Sequence, residues 1–395
     1  MISITGGQVL LPDGRRVPGV VELEGERIVS VGGDGTQALR GRTVDATGCT
    51  VMPGLIDLHS HLTLVPELDR SQVVSRAKVA LSGARQAVRA LRAGITSCRD
   101  IGGVQHVDLA LRDAIASGAV PGPRLECAGQ FIAITGGHAW PHIREADGEA
   151  EVRRAVREQV HAGADFIKFM ASGGVGRADE SEGAIQFSYP EVAAIVAEAR
   201  AAGKVATAHA HPEEAIRNSV RAGVRSIEHG THLTEELAGM MRDQGTFLVP
   251  TFAIYRGLAS AGRWPELAPR AQHVFDVKVR TFAAAVERGV RWGIGTDAGS
   301  FFPPTLIADE IEIIAGLGFS PWEVISQATA GNAELWGWSD VGRLEAGAVA
   351  DLVVVEGDPL QNLSDVRNVR ATVARGTVYD WRVIDADPGR PLLPA

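Results

Sequence analysis

The sequence predicts an α/β protein in which a (β/α)8 barrel of the TIM type carries a small β-sandwich domain built from both ends of the chain. Two observations support this fold class. The middle of the chain alternates eight short apolar runs with helical patterns, and both ends contain short apolar runs separated by turn residues. Repetition of strand and helix is typical of a parallel sheet, and eight such units close a barrel of roughly 250 residues. The expected domains are residues 1–53 and 341–395 for the sandwich and residues 54–340 for the barrel.

The two ends of the chain have the pattern of short strands joined by tight turns. In residues 1–53 the apolar runs are separated by the pairs Gly6-Gly7, Asp13-Gly14 and Glu24-Gly25. Such pairs suit hairpin connections. Residues 351–379 repeat the pattern around the turn Gly357-Asp358-Pro359. We therefore expect one small sheet domain to be assembled from both termini.

The barrel strands are predicted from eight apolar runs in the middle of the chain. These runs are residues 51–58, 96–99, 124–128, 166–169, 205–208, 225–228, 246–249 and 291–295. Between them, apolar residues recur every three or four positions, as on an amphipathic helix. The helical patterns cover residues 71–93, 149–162, 189–202, 212–222, 234–244 and 269–288, and a further helix at 321–336 leads back to the sheet domain. Several of these patterns end in Ala-Gly or Arg-Gly, a signal for the end of a helix.

Composition and charge exclude several classes of partner. The net charge of −9 argues against a nucleic-acid or anionic-membrane partner, because both require a basic face. The chain lacks a run of about 18 apolar residues and a cationic leader before an apolar segment, so we expect a cytoplasmic protein without a membrane span. The cysteines Cys49, Cys98 and Cys127 lack CxxC spacing and are expected to be reduced thiols.

Residues that can bind metals follow the predicted barrel strands. His59 and His61 come directly after the buried run that includes Leu58. Side chains alternate along a strand with period two, so both imidazoles should point to the same face and can share one ion. An isolated His-Ser-His would more often lie in a surface loop, but the apolar run before it favours the barrel mouth.

Lys168, in Phe-Ile-Lys-Phe, is the unusual member of this set. An ammonium group that faces two dications inside a barrel should lose its proton, because burial and repulsion both lower its pKa. A neutral amine can take up carbon dioxide to form a carbamate, whose two oxygens could bridge two metals about 3.5–4 Å apart. Considered alone, this lysine would more often be a substrate-binding or Schiff-base lysine.

His209, His229 and Asp297 complete the predicted cluster. His209 and His229 end consecutive strands and could bind the second metal, although His211 also faces inward and the residue pattern does not choose between His209 and His211. Asp297 follows the last strand, where a carboxylate can bind one ion and accept the proton of a metal-bound water. The alternative for Asp297 is a helix N-cap before residues 303–316.

With these residues placed, the chain resembles the amidohydrolase superfamily over nearly its whole length. The resemblance begins at Val51-Met-Pro-Gly-Leu-Ile-Asp-Leu-His-Ser-His61 and ends at Gly342-Arg-Leu-Glu-Ala-Gly-Ala-Val-Ala-Asp-Leu-Val-Val-Val355. The segments Gly94–Gly103, Thr135–His138, Lys168–Gly174 and Ser226–Gly230 are similar to its binuclear, imidazolonepropionase-like branch of prolidases and ochratoxinases.

The resemblance implies a role for several residues. It implies two divalent metal ions, with zinc favoured by the ligand type, a Lys168 carboxylated by CO2, and His209 rather than His211 as the ligand. The polarising tyrosine of the family is replaced by His232, and His138 is similar to a substrate-binding histidine. His142 could be either a substrate contact or a solvated loop residue. Enzymes of this branch often form homo-oligomers, so we expect one here.

The leading hypothesis is hydrolysis of an amide bond in a dipeptide or N-acyl amino acid, including ochratoxin-like amides, by a hydroxide that bridges the metals. Asp297 would pass the proton to the departing amine, and His232 would help one metal to stabilise the oxyanion. A lactonase or cyclic-amide hydrolase could use the same site. A mononuclear deaminase, a Schiff-base aldolase built on Lys168 and a non-catalytic metal-binding barrel are less favoured hypotheses. The loop 173–187, which contains Arg177, Asp179, Glu180 and Glu182, is expected to line the substrate pocket or to form a solvated lid.

Overall fold

The computed structural model describes residues 1–33, 41–64 and 75–387. The strands in these ranges are β1 (Ile2–Leu10), β2 (Arg16–Glu24), β3 (Arg27–Gly32), β4 (Arg42–Asp45), β5 (Cys49–Pro53), β6 (Leu55–Ser60), β7 (Ile95–Asp100), β8 (Arg124–Cys127), β9 (Phe131–Ala133), β10 (Ile143–Glu145), β11 (Ile167–Met170), β12 (Ala206–Ala210), β13 (Ser226–His229), β14 (Phe247–Val249), β15 (Leu352–Glu356), β16 (Val369–Ala374) and β17 (Thr377–Asp380).

The α-helices of the described residues lie between these strands, except the last, which follows β17. They are α1 (Arg76–Arg92), α2 (Val107–Ala116), α3 (Glu149–Ala162), α4 (Tyr189–Ala201), α5 (Glu213–Ala222), α6 (Glu235–Gln244), α7 (Phe252–Ser260), α8 (Ala268–Glu287), α9 (Ile307–Gly316), α10 (Pro321–Ser326), α11 (Asn332–Trp336) and α12 (Trp381–Ala386). Short 3-10 helices cover Pro304–Leu306 and Leu363–Arg367, and a π-helix covers Gln327–Gly331. No helix in the described part of the chain combines the length and apolarity needed to cross a membrane.

Strands from both ends of the chain share one sheet. Its order is β17-β16-β15-β5-β1-β2-β3, and β4 also pairs with β1. The two ends meet where β15 runs antiparallel to β5, with Val354 opposite Val51. Both valines are buried with Ile4 and Leu23 in one apolar cluster, which holds the two termini together.

The middle of the chain forms two parallel sheets, so the protein is a mixed α/β structure. One sheet has the order β6-β7-β8, and the other has the order β10-β9-β11-β12-β13-β14. The backbone N–H of Asp165, just before β11, donates to the carbonyl of Cys127 at the end of β8 at 2.8 Å. On the other side, residues 292–298 form isolated parallel bridges to Leu248 of β14 and Ser60 of β6. The two sheets are therefore connected at two places: between β8 and the segment before β11, and through residues 292–298 between β14 and β6.

The apolar run 51–58, predicted as one strand, is divided at Gly54. Its first part is β5 of the terminal sheet, and its second part is β6 of a parallel sheet. A Cβ atom at Gly54 would lie 2.0 Å from Oγ1 of Thr96, so only glycine permits this close approach of the chain to β7. The prediction of a single strand was wrong because both halves are fully buried and apolar residues continue on both sides of Gly54.

The predicted eighth strand, residues 291–295, has little regular pairing. The side chain of Asn332 lies between this segment and β6. Its Nδ2 donates to the carbonyls of Ile56 and Ile294 at 2.8 and 2.9 Å, and its Oδ1 accepts from the N–H of Ile294 at 2.9 Å. A side chain thus replaces part of the backbone ladder at this edge.

The predicted helices agree closely with the structure where an apolar face and an end signal coincide. The bounds of α3 are those predicted, α4, α5 and α6 differ from the prediction by one residue at one end, and α8 differs by one residue at each end. The predicted helix 321–336 contains the π-helix between α10 and α11. Residues 71–74 of the predicted helix 71–93 lie outside the described residues. Helices α2, α7 and α12 and the short strands β4, β9 and β10 were not predicted.

Candidate metal centre

The carboxyl ends of the parallel strands surround one cavity. Its volume is about 930 Å³ including the space at its open mouth. His59 lies on β6, Lys168 on β11, His209 on β12 and His229 on β13, so neighbouring strands bring these side chains to one place. Among the sequence-predicted residues, the cavity is lined by His59, His61, His138, His142, Lys168, His209, His229 and Asp297.

His59, His61 and Asp297 form the first cluster. Nδ1 of His59 lies 2.8 Å from the carboxylate of Glu228, and Nδ1 of His61 lies 2.9 Å from the carbonyl oxygen of Gly102. Both partners can only accept, so each Nδ1 must carry the proton. The Nε2 atoms then point at the same Asp297 oxygen, Oδ1, at 3.4 and 3.3 Å. Three atoms that can each donate an electron pair therefore converge, and a cation between them would bind all three.

His209, His211 and His229 form the second cluster, with one ring nitrogen of each within 4.8 Å of the others. Nε2 of His209 lies 3.0 Å from the carbonyl of Gly173 and must donate to it. Nδ1 of His229 lies 2.7 Å from Oγ1 of Thr251. Nδ1 of His209 and Nε2 of His229 have no hydrogen-bond partner among the described residues, so their electron pairs are available to a ligand.

His211 differs from its two neighbours because both of its ring nitrogens are engaged. Nδ1 lies 2.6 Å from Oγ1 of Thr231, and Nε2 lies 3.3 Å from the hydroxyl of Tyr255. The Tyr255 hydroxyl also lies 3.1 Å from Nδ1 of His229. This hydrogen-bond pattern favours His209 over His211 as the group with a free electron pair.

Lys168 is almost completely buried, with 1% of its surface exposed. Its ammonium group has no hydrogen-bond partner within the described ranges. Burial is the main reason that the pKa of Lys168 falls to about 8, against the opposing effect of the nearby Glu228 and Asp297 carboxylates. An amine with this pKa exists partly as the free base near neutral pH.

Burial also keeps the imidazoles neutral. It lowers the pKa of His61 and lowers the pKa values of His209, His211 and His229 well below the usual range. Burial would raise the pKa of Asp297, but the attraction of His59 and His61 in their protonated forms outweighs burial and lowers the pKa well below its ordinary value. Neutral imidazoles around an ionised carboxylate are a donor set that suits zinc and similar divalent ions. The cluster could therefore hold metal.

The backbone is strained at three positions around the cluster. His229, Thr251 and Asp297 have positive φ values of 72°, 53° and 58°. Residues other than glycine are uncommon in this left-handed region, and they concentrate at functional sites. In Asp297 this conformation follows the hydrogen bond from its N–H to the carbonyl of His59, at 2.7 Å. The N-cap of the following 3-10 helix is Pro303, so Asp297 does not have that alternative role.

His138 stands at the edge of the cluster. Its ring stacks on that of His209, with centroids 4.3 Å apart, and its Nδ1 lies 2.8 Å from Oε1 of Glu180. Glu180 belongs to the predicted pocket loop, of which Val175, Gly176 and Arg177 also line the cavity. The backbone of this loop is held by Arg270 of α8, which donates to the carbonyls of Arg177 and Ala178 at 3.0 and 3.2 Å. Asp179 instead points outward and pairs with Arg177.

His232 lies further from the cluster. Its N–H donates to the carbonyl of His211 at 2.9 Å, but its side chain is not among those that line the cavity in the described structure. Tyr255 of α7 does line the cavity and touches two of the imidazoles. The sequence analysis missed Tyr255 because its position in a helix follows no metal-binding motif.

Arg99 and Glu228 were also missed. Both are completely buried, and they form an ion pair at 2.7 Å directly behind His59. Charged residues are almost never buried without a partner. The presence of Arg99 and Glu228 within two predicted buried strands was a signal that could have been used.

Comparison with known proteins identifies the family. The sequence model of the amidohydrolase family matches residues 50–379. Ochratoxinase from Aspergillus niger is 32% identical over 357 residues, an alignment that covers 81% of this chain and 73% of the relative. The family predicted from the sequence motifs is therefore confirmed.

Solved structures give the same result. An amidohydrolase with 34% identity superimposes with a TM-score of 0.87, covering 96% of this chain and 98% of the other. A Xaa-Pro dipeptidase with methionine bound in its active site has 31% identity and a TM-score of 0.85, covering 96% of this chain and 99% of the other. The mixed α/β fold is thus shared over nearly the whole chain.

Proposed function

This chain belongs to the amidohydrolase family, and we propose that it is a binuclear metal-dependent enzyme that cleaves the amide bond of a dipeptide or N-acyl amino acid, ochratoxin-like amides included. That it is a hydrolytic enzyme follows from the family and from its similarity to ochratoxinase and to a Xaa-Pro dipeptidase. A dipeptidase cleaves the amide bond of a dipeptide, so the similarity to that enzyme supports the substrate class proposed for this chain.

The fold that we propose is a closed (β/α)8 barrel with a terminal β-sandwich. The barrel strands would be β6, β7, β8, β11, β12, β13, β14 and residues 291–298. The hydrogen bonds from Asp165 to Cys127 and the bridges from residues 292–298 support closure at both sheet edges. Residues 54–340 would then form the barrel, and residues 1–53 and 341–395 the sandwich, with residues 34–40, 65–74 and 388–395 outside the described structure.

The proposed metal ligands divide into two groups. His59, His61 and Asp297 would hold one divalent ion, since Nε2 of each histidine already faces Oδ1 of Asp297. His209 and His229, each with one ring nitrogen free, would hold the other, and Lys168, carboxylated by CO2, would join the two sites. Zinc is the ion that imidazole ligands favour.

The surrounding residues would perform the proton transfers and orient the substrate. When bound, a pair of divalent cations supplies a Lewis acid for the scissile carbonyl and acidifies water. Asp297, which is ionised, accepts the proton of the attacking water and delivers it to the departing amine. His138, whose ring stacks on that of His209, would contact the substrate. The buried hydroxyl of Tyr255 can donate to the developing oxyanion, a role that His232 would have to fill from outside the cavity lining.

The observation that carries this proposal is the convergence of Nε2 of His59 and Nε2 of His61 on one carboxylate oxygen of Asp297. The test is the variant Asp297→Asn, assayed on libraries of Xaa-Pro and other dipeptides, N-acyl amino acids and lactones. We expect the wild-type protein with zinc to hydrolyse at least one amide class, and the variant to lose activity by about 10²-fold or more.

Metal content must be measured in both proteins to separate chemistry from binding. Activity retained by an Asp297→Asn variant that still holds its metals would contradict the role of Asp297. Two bound zinc ions without turnover of any substrate class would contradict the enzyme. Cytoplasmic location and homo-oligomeric assembly stay predictions, which cell fractionation and light scattering would test.

A further inference from the structure

A chain of buried polar groups connects the interior of the parallel sheets to His59. Arg99 of β7, Glu228 of β13 and Ser226 of β13 are completely buried, and His59 of β6 is 1% exposed. Arg99 donates through Nη2 to Oε1 of Glu228 at 2.7 Å, and Ser226 donates to the same oxygen at 2.6 Å. The other oxygen, Oε2, is left for Nδ1 of His59 at 2.8 Å.

The guanidinium of Arg99 is fixed on every side. Its Nη1 donates to Oγ of Ser226 at 3.0 Å, and its Nε donates to the carbonyl of Leu58, the residue before His59. The ring of Trp336 lies 4.7 Å from the guanidinium carbon, and the rings of Phe166 and Phe247 lie 5.7 Å from it. Arg99 therefore holds both the backbone next to His59 and the carboxylate behind its ring.

Stability alone does not account for this arrangement. Two charges lose their hydration when they are buried, and replacing such a pair by apolar groups is often neutral or stabilising. A carboxylate behind a metal-binding imidazole has a different effect. It fixes the tautomer and makes the outward nitrogen a stronger ligand, and its loss typically weakens metal binding about 10–100-fold.

We propose that Arg99 and Glu228 are positioning residues of the metal centre: Glu228 holds the proton on Nδ1 of His59, and Arg99 holds Glu228 in place, so that Nε2 of His59 faces Asp297 as a metal ligand. This inference rests on the proposed function, in which His59 binds an ion. It assigns a task to two side chains that touch neither the substrate nor the metal.

The direct test compares zinc affinity in the wild-type protein and in Glu228→Gln, by competition with a chromogenic chelator after metal removal. We expect the more affected zinc site to bind about 10–100-fold more weakly in the variant, with an unchanged circular dichroism spectrum. Asp351→Asn is the control, because Asp351 is equally buried and accepts the N–H of Arg375 at 2.7 Å, but lies on the terminal side of the molecule. Its zinc affinity should equal that of the wild type.

Glu228→Gln leaves the charge of Arg99 unpaired and could prevent folding, so two further measurements are needed. The double variant Arg99→Met/Glu228→Gln removes both charges and should show the same loss of zinc affinity. In the metal-free wild type, nitrogen-15 NMR of labelled histidine, with His59→Asn for assignment, should place the His59 proton on Nδ1. A proton on Nε2, or unchanged zinc affinity in the folded variants, would overturn the proposal.

The outcomes also separate this inference from the proposed function. Zinc affinity that depends on Glu228 in a protein that hydrolyses none of the amides would support the positioning role and contradict the enzyme. Hydrolysis by a wild-type protein whose Glu228→Gln variant binds zinc equally well would support the enzyme and contradict the positioning role.

Discussion

At the scale of single residues, the chemistry of this centre depends on which ring nitrogen of each histidine is already occupied. Glu228, Gly102, Gly173 and Thr251 each take one nitrogen of a different imidazole. The remaining nitrogens face the cavity with their electron pairs. In His211 the second nitrogen is taken as well, by Tyr255. Partners outside the ligand set thus decide which histidines can bind an ion.

Tyr255 carries a buried phenolic hydroxyl beside His211 and His229. Burial raises the pKa of Tyr255 well above its usual value, so the phenol keeps its proton and can donate. We expect Tyr255→Phe to lower kcat by about 10²–10³-fold, as for the loss of an oxyanion donor, with KM and metal content little changed. Steady-state kinetics with metal analysis would measure this.

The matched control is His232→Ala, which removes the residue that stands where the family has its polarising tyrosine. Since the His232 side chain does not line the cavity, kcat should change little. If His232→Ala lost more activity than Tyr255→Phe, His232 and not Tyr255 would be the hydrogen-bond donor to the oxyanion.

The sequence predicted most of the candidate metal ligands but not the side chains that form hydrogen bonds with them. His59, Lys168, His209, His229 and Asp297 each follow an apolar strand, and strand ends in a parallel sheet lie together, so their proximity could be inferred. The partners Thr251, Glu228 and Tyr255 depend on side-chain directions between different elements. No local pattern encodes those directions, and only the packed structure supplies them.

At the scale of elements, the predictions succeeded where one element has one environment. Helix α3 has an apolar face and is followed by Gly163, its C-cap. The apolar period and the glycine end signal agree, so the bounds of the helix were predicted. The run 51–58 passes from one sheet to another, and its apolar residues are buried in both. Residues 291–298 pair partly with the side chain of Asn332 rather than with a strand backbone. A side chain that takes the place of a backbone partner leaves no periodic pattern of apolar residues in the sequence.

A buried carboxylate at the start of helix α7 should make the stability of the protein depend on pH. The first N–H groups of this helix, those of Phe252 and Ala253, donate to the buried carboxylate of Glu310 at 3.0 and 2.6 Å. Burial nevertheless raises the pKa of Glu310 from 4.5 to about 7. Between these two values the folded protein holds a proton that the unfolded chain has lost, so this group makes the free energy of unfolding decrease as the pH rises from about 4.5 to 7.

Glu310→Gln removes that dependence. Relative to the wild type, the free energy of unfolding of the variant should increase by about 3 kcal/mol between pH 4.5 and pH 7, that is, in the stabilising direction, at about 1.4 kcal/mol per unit of pKa. The buried Lys278 acts in the same direction, because the loss of Glu310 removes an anion that supports its charge. Urea unfolding at several pH values would measure the difference. Glu213→Gln, an exposed position at the start of α5, is the control. If the difference in free energy of unfolding between the variant and the wild type did not change with pH, Glu310 would be ionised in the folded protein over this whole pH range.

At the scale of the whole molecule, the candidate centre is made from distant parts of one chain. His59 and Asp297 meet although more than half of the sequence separates them, and the hydrogen bond from Asp297 N–H to the carbonyl of His59 joins the first and last parallel segments. A ligand that holds both residues therefore stabilises the contact between the two ends of the parallel region. The terminal sheet has an apolar core of its own, which does not depend on such a ligand.

Metal removal should consequently weaken the protein without unfolding it. Each ion present at about 1,000 times its dissociation constant contributes roughly 4 kcal/mol to the free energy of unfolding. We expect chelation to lower the Tm by several degrees and to abolish hydrolysis, while the circular dichroism spectrum keeps its α/β character. Zinc with bicarbonate should restore both the Tm and the activity, because the carbamate that we propose for Lys168 would require CO2. Magnesium should restore neither, since it prefers oxygen ligands and this cluster is mainly imidazole. A protein shown to be free of metal that kept its Tm and its activity would not contain the centre inferred here.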